Sequence, residues 1–296
     1  CLPKNRYDGW AKQVESRTEN SRKDRSMLEK LEQQYFTGER SLFQGKDLYI
    51  KDSIFEDGES PLKHSRNITI DQSAFRWKYP LWYSRDIQMT NSTLFETARA
   101  GIWYTDNVRM TDCLIQAPKA FRRCQGVNLN HVFIPNAVET LWNCNDVCLE
   151  NVVASGDYFG MNCSNVTLTD FTLYGNYCFD GAQNVEVHNS QFLSKDCFWN
   201  AHHITIYDSY ISGEYFAWNS SDITLVNCTV ESLQGMCYID GLVMRECKLL
   251  HTTLAFEYSN IDVEIMSRIE SIKNPSAGRI VSYGIDELIL EEDQVD

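Results

Sequence analysis

The chain has 296 residues, 43% of them hydrophobic, and 27 Lys/Arg set against 41 Asp/Glu give a formal net charge of −14. That balance speaks against nucleic acid and anionic membranes as partners and weighs against a strongly anionic substrate. No apolar run approaches the ~18 residues of a membrane span, and no signal peptide is visible.

Residues 1–34 stand apart by charge, with 8 Lys/Arg against 6 Asp/Glu, whereas the remainder carries 19 against 35. Met27, Leu28, Leu31 and Tyr35 have helical spacing, so this segment is expected to form a short helical cap or linker. The sharper reading makes it the remnant of an upstream domain, because the chain opens on Cys1 and not on Met.

Residues 35–296 read as one repeating domain. A phrase recurs in it: Asn or Asp, an aliphatic residue, any residue, a second aliphatic, any residue, Asn or Asp, then a small residue. Asn67–Ser73, Asp86–Ser92, Asn107–Cys113 and Asn184–Ser190 are instances. The first aliphatic falls at Leu48, Ile68, Ile87, Val108, Val127, Val147, Val166, Val185, Ile204, Ile223, Leu242 and Val263, with gaps of 19–21 residues. A fixed period of that size marks a solenoid, in which no single repeat can bury its own core.

Two positions after each anchor stands another apolar residue, from Ile50 through Met89 and Val187 to Ile265. In-out-in alternation is the period of a half-buried strand. Five after the anchor comes a small residue such as Ser73 or Cys113, and seven after it Phe55, Phe75, Ile115 or Phe192, a second short strand. Three before it lies a run of small residues (Ser65, Ser84, Thr105, Cys124, Cys144, Cys163, Ala182, Ala201) that fits a crowded corner. Each rung thus has about three short strands and three corners. Stacked at about 4.8 Å, 11–12 such rungs make a parallel β-helix. A hexapeptide period, the mark of a left-handed helix, is missing, so the expected fold is all-β and right-handed. The period loosens after Val263, and a last strand near residues 285–290 is expected to close the C-terminal end.

The 11 cysteines form columns: Cys124, Cys144 and Cys163; Cys178 and Cys197; Cys228 and Cys247. Vertical neighbours are within disulfide reach. The odd count and the lack of any CxxC pair favour reduced, buried fillers, with no metal site and no cofactor. Six N-x-S/T sequons (Asn67, Asn91, Asn162, Asn165, Asn219, Asn227) fall out of the repeat itself. With no leader visible, a cytoplasmic location is expected.

Two sets of residues could carry chemistry. Five before the anchor, Trp82, Trp103, Trp142, Trp199 and Trp218 share a column that Arg122 interrupts. Alternation sends this column outward, where indoles stack on sugar rings; under a folded-over loop they would instead be core. Beside it lie Lys195, Asp196, Glu214 and Tyr215, with Glu139 in the Asp196 column three rungs earlier. Lys195, Asp196, Glu214 and Glu139 are candidate acid–base groups, and Arg122, Trp142, Trp199, Trp218 and Tyr215 candidate ligand contacts. The competing reading of the charges is a set of ion pairs between rungs. Glu150, Glu186 and His188 form a third titratable set, but Glu150 and His188 are two rungs apart, too far for a catalytic pair.

Residues 194–201 (SKDCFWNA), 211–218 (ISGEYFAW), 254–257 (LAFE) and 271–275 (SIKNP) resemble the DUF3737 family of bacterial proteins. Residues 36–40 (FTGER) and 80–84 (PLWYS) are similar to that family's N-terminal part. The likeness runs from about residue 35 to the end. Residues 233–238 (LQGMCY) depart from it, standing where a TQPLCY phrase is expected. The resemblance implies a pectin-lyase-like right-handed β-helix and no particular reaction. Two functions follow from the residues: binding of, or action on, a carbohydrate along the Trp-bearing face, or a non-catalytic scaffold for another protein.

Overall fold

The computed structural model describes residues 28–291. Within them the chain winds through 14 turns of parallel β-structure, and the helical content is one 3-10 turn, Glu96–Ala98. No helix among these residues is long and apolar enough to cross a membrane. The first sheet stacks the anchor strands in register, with Leu48 on Ile68, Ile68 on Ile87, and so on to Ile223 on Leu242. The second face stacks shorter strands such as Ile54–Phe55, Ala74–Phe75 and Thr93–Leu94. Strands such as Asp106–Ile115 run through the corner and join both faces into one 22-stranded sheet.

Fourteen turns exceed the 11–12 anchors because both ends extend the coil. Glu29–Glu32 is a strand that pairs with the next turn, Leu31 against Ile50, and Tyr35–Phe36 pairs with Ile54–Phe55. The helical expectation is therefore corrected to strand at Leu31 and Tyr35 and to a bend at Leu28, and its remainder lies outside the described residues. At the other end the partner of Leu242 is Ile261, not Val263, so the 19-residue period holds one turn longer. The final strand, Ala277–Ile289, pairs with Asn260–Lys273 and is the last of the described turns.

The third face differs most from expectation. Short strands pair at Leu81–Trp82, Ile102–Trp103 and Phe121–Arg122, with isolated bridges from Arg122 to Trp142, Leu233 to Thr253 and Ala255 to Ile272. Elsewhere this face is built of turns, locked by main-chain bonds from rung to rung such as Tyr177 N–H to Lys195 O (2.8 Å) and Phe179 N–H to Phe159 O (2.7 Å). The rung beginning at Asn184 bends at five positive-φ residues: Asn184, Asn189, Asp196, Phe198 and Asn200. Asn and Asp tolerate the left-handed region best, which is why the repeat phrase begins and ends with them. Their side chains also form ladders, as in Asn67 to Asp47 (2.7 Å) and Asn227 to Asp208 (2.7 Å).

Apolar columns fill the interior. Phe36, Phe55 and Phe75 stack at 4.7 and 4.6 Å. Phe159, Phe171, Phe179, Phe192 and Phe198 are fully buried farther along. The small corner column has a chemical rationale beyond size. Ser84 and Thr105 hydroxyls donate to Leu62 O and Leu81 O at 2.7 Å, and the thiols of Cys124 and Cys163 donate to Ile102 O (3.1 Å) and Leu141 O (2.8 Å). Ser, Thr and Cys interchange because each is a small donor that satisfies a buried carbonyl of the preceding turn. All ten described cysteines are free thiols, nine of them buried.

Candidate functional site

The indole column sits on the third face, and each indole is half-buried, neither bare nor sealed. Its geometry follows from the positive-φ column three residues earlier in the rung. Five residues of that column turn their carbonyls toward an indole N–H of the neighbouring rung. Trp82, Trp103, Trp142, Trp199 and Trp218 donate to the carbonyls of Ala100, Lys119, Tyr158, Tyr215 and Gln234 at 2.5–2.8 Å. The rings also stack on one another, Trp82 on Trp103 at 5.2 Å and Trp199 on Trp218 at 5.8 Å. Ring faces are therefore largely spent within the stack, and ring edges are turned outward.

The structure divides the predicted site residues into two clusters. In the first, the Arg122 guanidinium lies between Trp103 and Trp142, 4.5 Å from each ring centroid. Its Nη2 donates to Glu139 (3.2 Å), which Lys119 also meets at 2.9 Å. Arg122 substitutes for an indole in the column: planar, cationic and able to stack. Glu139 is the counter-ion of this arrangement.

In the second cluster, adjacent turns bring together Lys195, Asp196, Trp199, Glu214, Tyr215 and Trp218. Lys195 Nζ is 3.2 Å from Glu214 and lies over the Tyr215 ring at 5.2 Å. Hydrogen bonding to Glu214 raises the Lys195 ammonium, which stays charged. Tyr215 and Trp218 meet edge-on at 5.2 Å. Asp196 occupies a left-handed bend, φ 56°, in a column that also holds Glu139, Tyr158, Tyr177 and Tyr215. It is 3% exposed, and its Oδ1 is buried without a hydrogen-bond partner. Burial pushes its carboxyl above the usual range; Lys195 opposes the shift and Glu214 adds to it.

Glu139 and Asp196 remain three turns apart, about 14 Å along the stack at strand spacing. They do not act on one bond, and Glu139 belongs to the Arg122 cluster. Glu150 accepts from Asn130 (2.7 Å), while His188 contacts Glu186 (2.7 Å) and stacks on Tyr207, so that set is also divided. Sequence reasoning missed the tyrosines of the Asp196 column, Tyr158 and Tyr177, which stack at 4.8 Å and join the two clusters. Their 19-residue spacing was the available signal.

Two clefts lie on other faces. One of about 620 Å³ runs beside Leu114, Phe133 and Val153 on the outer side of the second sheet. A more polar one of about 510 Å³ lies over Gln88, Arg109 and Asn128 on the first.

A stack of parallel turns with its polar clusters on one face defines the class: this is a right-handed parallel β-helix. The chain belongs to the family described as "Protein of unknown function (DUF3737)", whose pattern it matches over residues 29–296. No curated protein matches it. Among solved structures, the A-module of the mannuronan C-5 epimerase AlgE4 from Azotobacter vinelandii is similar, with 9% identity, 86% of this chain and 91% of that one covered, and a TM-score of 0.46. The tailspike protein of E. coli bacteriophage HK620, in complex with a pentasaccharide, gives 8% identity, 88% and 70% coverage, and a TM-score of 0.37. PfbA, a surface adhesin of Streptococcus pneumoniae, gives 10%, 84% and 72%, and 0.31. Likeness at these scores carries no argument about activity.

Proposed function

We propose that the chain binds an oligosaccharide at the Lys195–Asp196–Trp199–Glu214–Tyr215–Trp218 cluster. The observation that carries this reading is Asp196, a nearly buried carboxyl with an unpartnered oxygen, raised above its usual range, beside a paired Lys and Glu. Perturbed titratable groups gather where a fold holds a ligand or a proton for a purpose. The unpartnered Asp196 oxygen, Glu214 as acceptor and Lys195 as donor make a set suited to a polyhydroxylated ligand. Indole and phenol edges beside them give an apolar rim. Asp196 is the candidate acid should the bound sugar also be transformed, and Glu214 its candidate partner. The Arg122–Trp142 cluster would extend the same face. The test is titration of intrinsic Trp fluorescence with a panel of neutral and acidic oligosaccharides. A saturable change that Glu214→Gln and Asp196→Ala abolish supports the reading; no response to any sugar removes it.

One observation favours a second reading, a protein-interaction scaffold. Leu114, Phe133 and Val153 stand side by side in register on the second sheet, with Phe133 50% exposed. Such a ridge beside a cleft suits a protein partner. A Phe133→Ser variant that loses a partner while retaining the sugar response would separate the two.

A further inference from the structure

The two ends of the described coil are unlike. The first strand, Glu29–Glu32, is four residues long and three of them are charged, which blunts its free edge. The last, Ala277–Ile289, is thirteen residues long, pairs on one side with Asn260–Lys273, and has no partner on its other edge among the described residues. Ile280, Ile285 and Leu288 continue the interior columns of Val263, Ile269 and Ile272, yet Ile285 and Leu288 are 37% and 54% exposed, with no further turn over them among the described residues. Val281 and Tyr283 beside them are 49% and 65% exposed. A long apolar edge above core columns left open among the described residues is a template for another strand.

We infer that this end is a homodimer interface, in which a second copy of the chain pairs its final strand antiparallel to this one across a two-fold axis near Tyr283. Self-complementarity of the strand argues for a copy of the same chain. The strand carries Arg279 toward its start and Asp286–Glu287 toward its end, with Tyr283 midway. A two-fold there sets Arg279 of one copy opposite Glu287 of the other, and Val281 opposite Ile285, so both ends of the strand gain a partner at once. Glu287 has no ion-pair partner within its own described chain, and Arg279 already leans on Asp262 and Glu264 at 3.0 and 3.1 Å. An isologous contact also closes, whereas a head-to-tail one would offer the charged first strand and propagate into filaments. This inference is independent of the sugar site, which lies on a side face.

Sedimentation velocity of the full chain tests it. The expected mass is twice the 34.2 kDa of the chain at micromolar concentration. Val281→Lys with Ile285→Lys should return the single-chain mass, with far-UV circular dichroism unchanged. In a Cys1→Ser background, Tyr283→Cys should form a disulfide-linked dimer under mild oxidation, because a residue near a two-fold axis lies close to its own copy. A single-chain mass up to about 100 µM overturns the proposal. So does a dimer that survives the double Lys variant and gives no Tyr283→Cys cross-link.

Discussion

The Trp199 indole N–H donates to the main-chain carbonyl of Tyr215 one turn farther on, at 2.8 Å. Tyr215 has a φ of 59°, which turns that carbonyl out of reach of its own rung. The bond repeats at four other indoles, so the Trp column fastens the strained third face before it offers anything to a ligand. Trp199→Phe keeps the ring and removes the donor. It should cost about 1 kcal/mol, the usual net worth of one hydrogen bond, and lower Tm by ~2 °C. Trp77→Phe, whose indole nitrogen has no such acceptor among the described residues, should leave Tm unchanged. Thermal unfolding followed by far-UV circular dichroism decides.

Arg122 is held differently from the indoles it replaces. Its guanidinium stacks between two rings and hydrogen-bonds only through the end that meets Glu139, leaving Nε buried without a partner. Arg122→Lys keeps the charge but loses the plane, and should destabilise by about 1–2 kcal/mol. Arg122→Trp, which would complete the column, should be better tolerated than Lys. Denaturant midpoints of the three proteins give the order; a Lys variant equal to wild type would remove the stacking argument.

The first two faces were legible in the sequence, because burial there alternates and every anchor shows an aliphatic residue. The first turn was not. Its anchor position holds Glu29, and Leu28, Leu31 and Tyr35 happen to fall at helical spacing. Yet Leu31 is 19 residues before Ile50 and Phe36 is 19 before Phe55, so the period was already present. The third face was only partly legible. Column membership of the tryptophans was read correctly, but their exposure was not decidable, since alternation stops where Phe179, Phe198, Tyr177 and Tyr215 take positive φ. Nothing in the residue types of 195–218 announces that one carboxyl, Asp196, is buried while Glu214, one rung on, is not.

That difference has a pH signature. The folded-state carboxyl of Asp196 is raised above its unfolded value, near about 4 for an ordinary Asp. Its contribution is fully present below that unfolded value and is lost as pH rises through the raised folded value, where the buried group must ionise. Asp196→Asn cannot ionise, so it should be more stable than wild type at pH 7. The gap should narrow steadily as pH falls toward 4. Urea unfolding of both proteins between pH 4 and 7 measures it. A gap independent of pH would mean that Asp196 titrates alike in the folded and unfolded chains.

The cysteines yield a last prediction, about chemistry they should not do. Burial pushes the Cys113 thiol up to about 11 and the Cys237 thiol up to about 12. A thiol held there is almost wholly protonated at pH 8, and the thiolate is the nucleophile. The paired columns add a second restraint: the Cys178 and Cys197 sulfurs, both fully buried, are 2.9 Å apart and share a hydrogen bond. Cys148, half-buried on the outer face of the first sheet, is the accessible exception. In a Cys1→Ser background, iodoacetamide at pH 8 should therefore add one label to the native protein within an hour, at Cys148, and ten after denaturation. Peptide mass spectrometry reads the positions. Rapid native labelling at Cys178 or Cys197 would show that the third face opens, and would place its local unfolding below the stability of the two continuous faces.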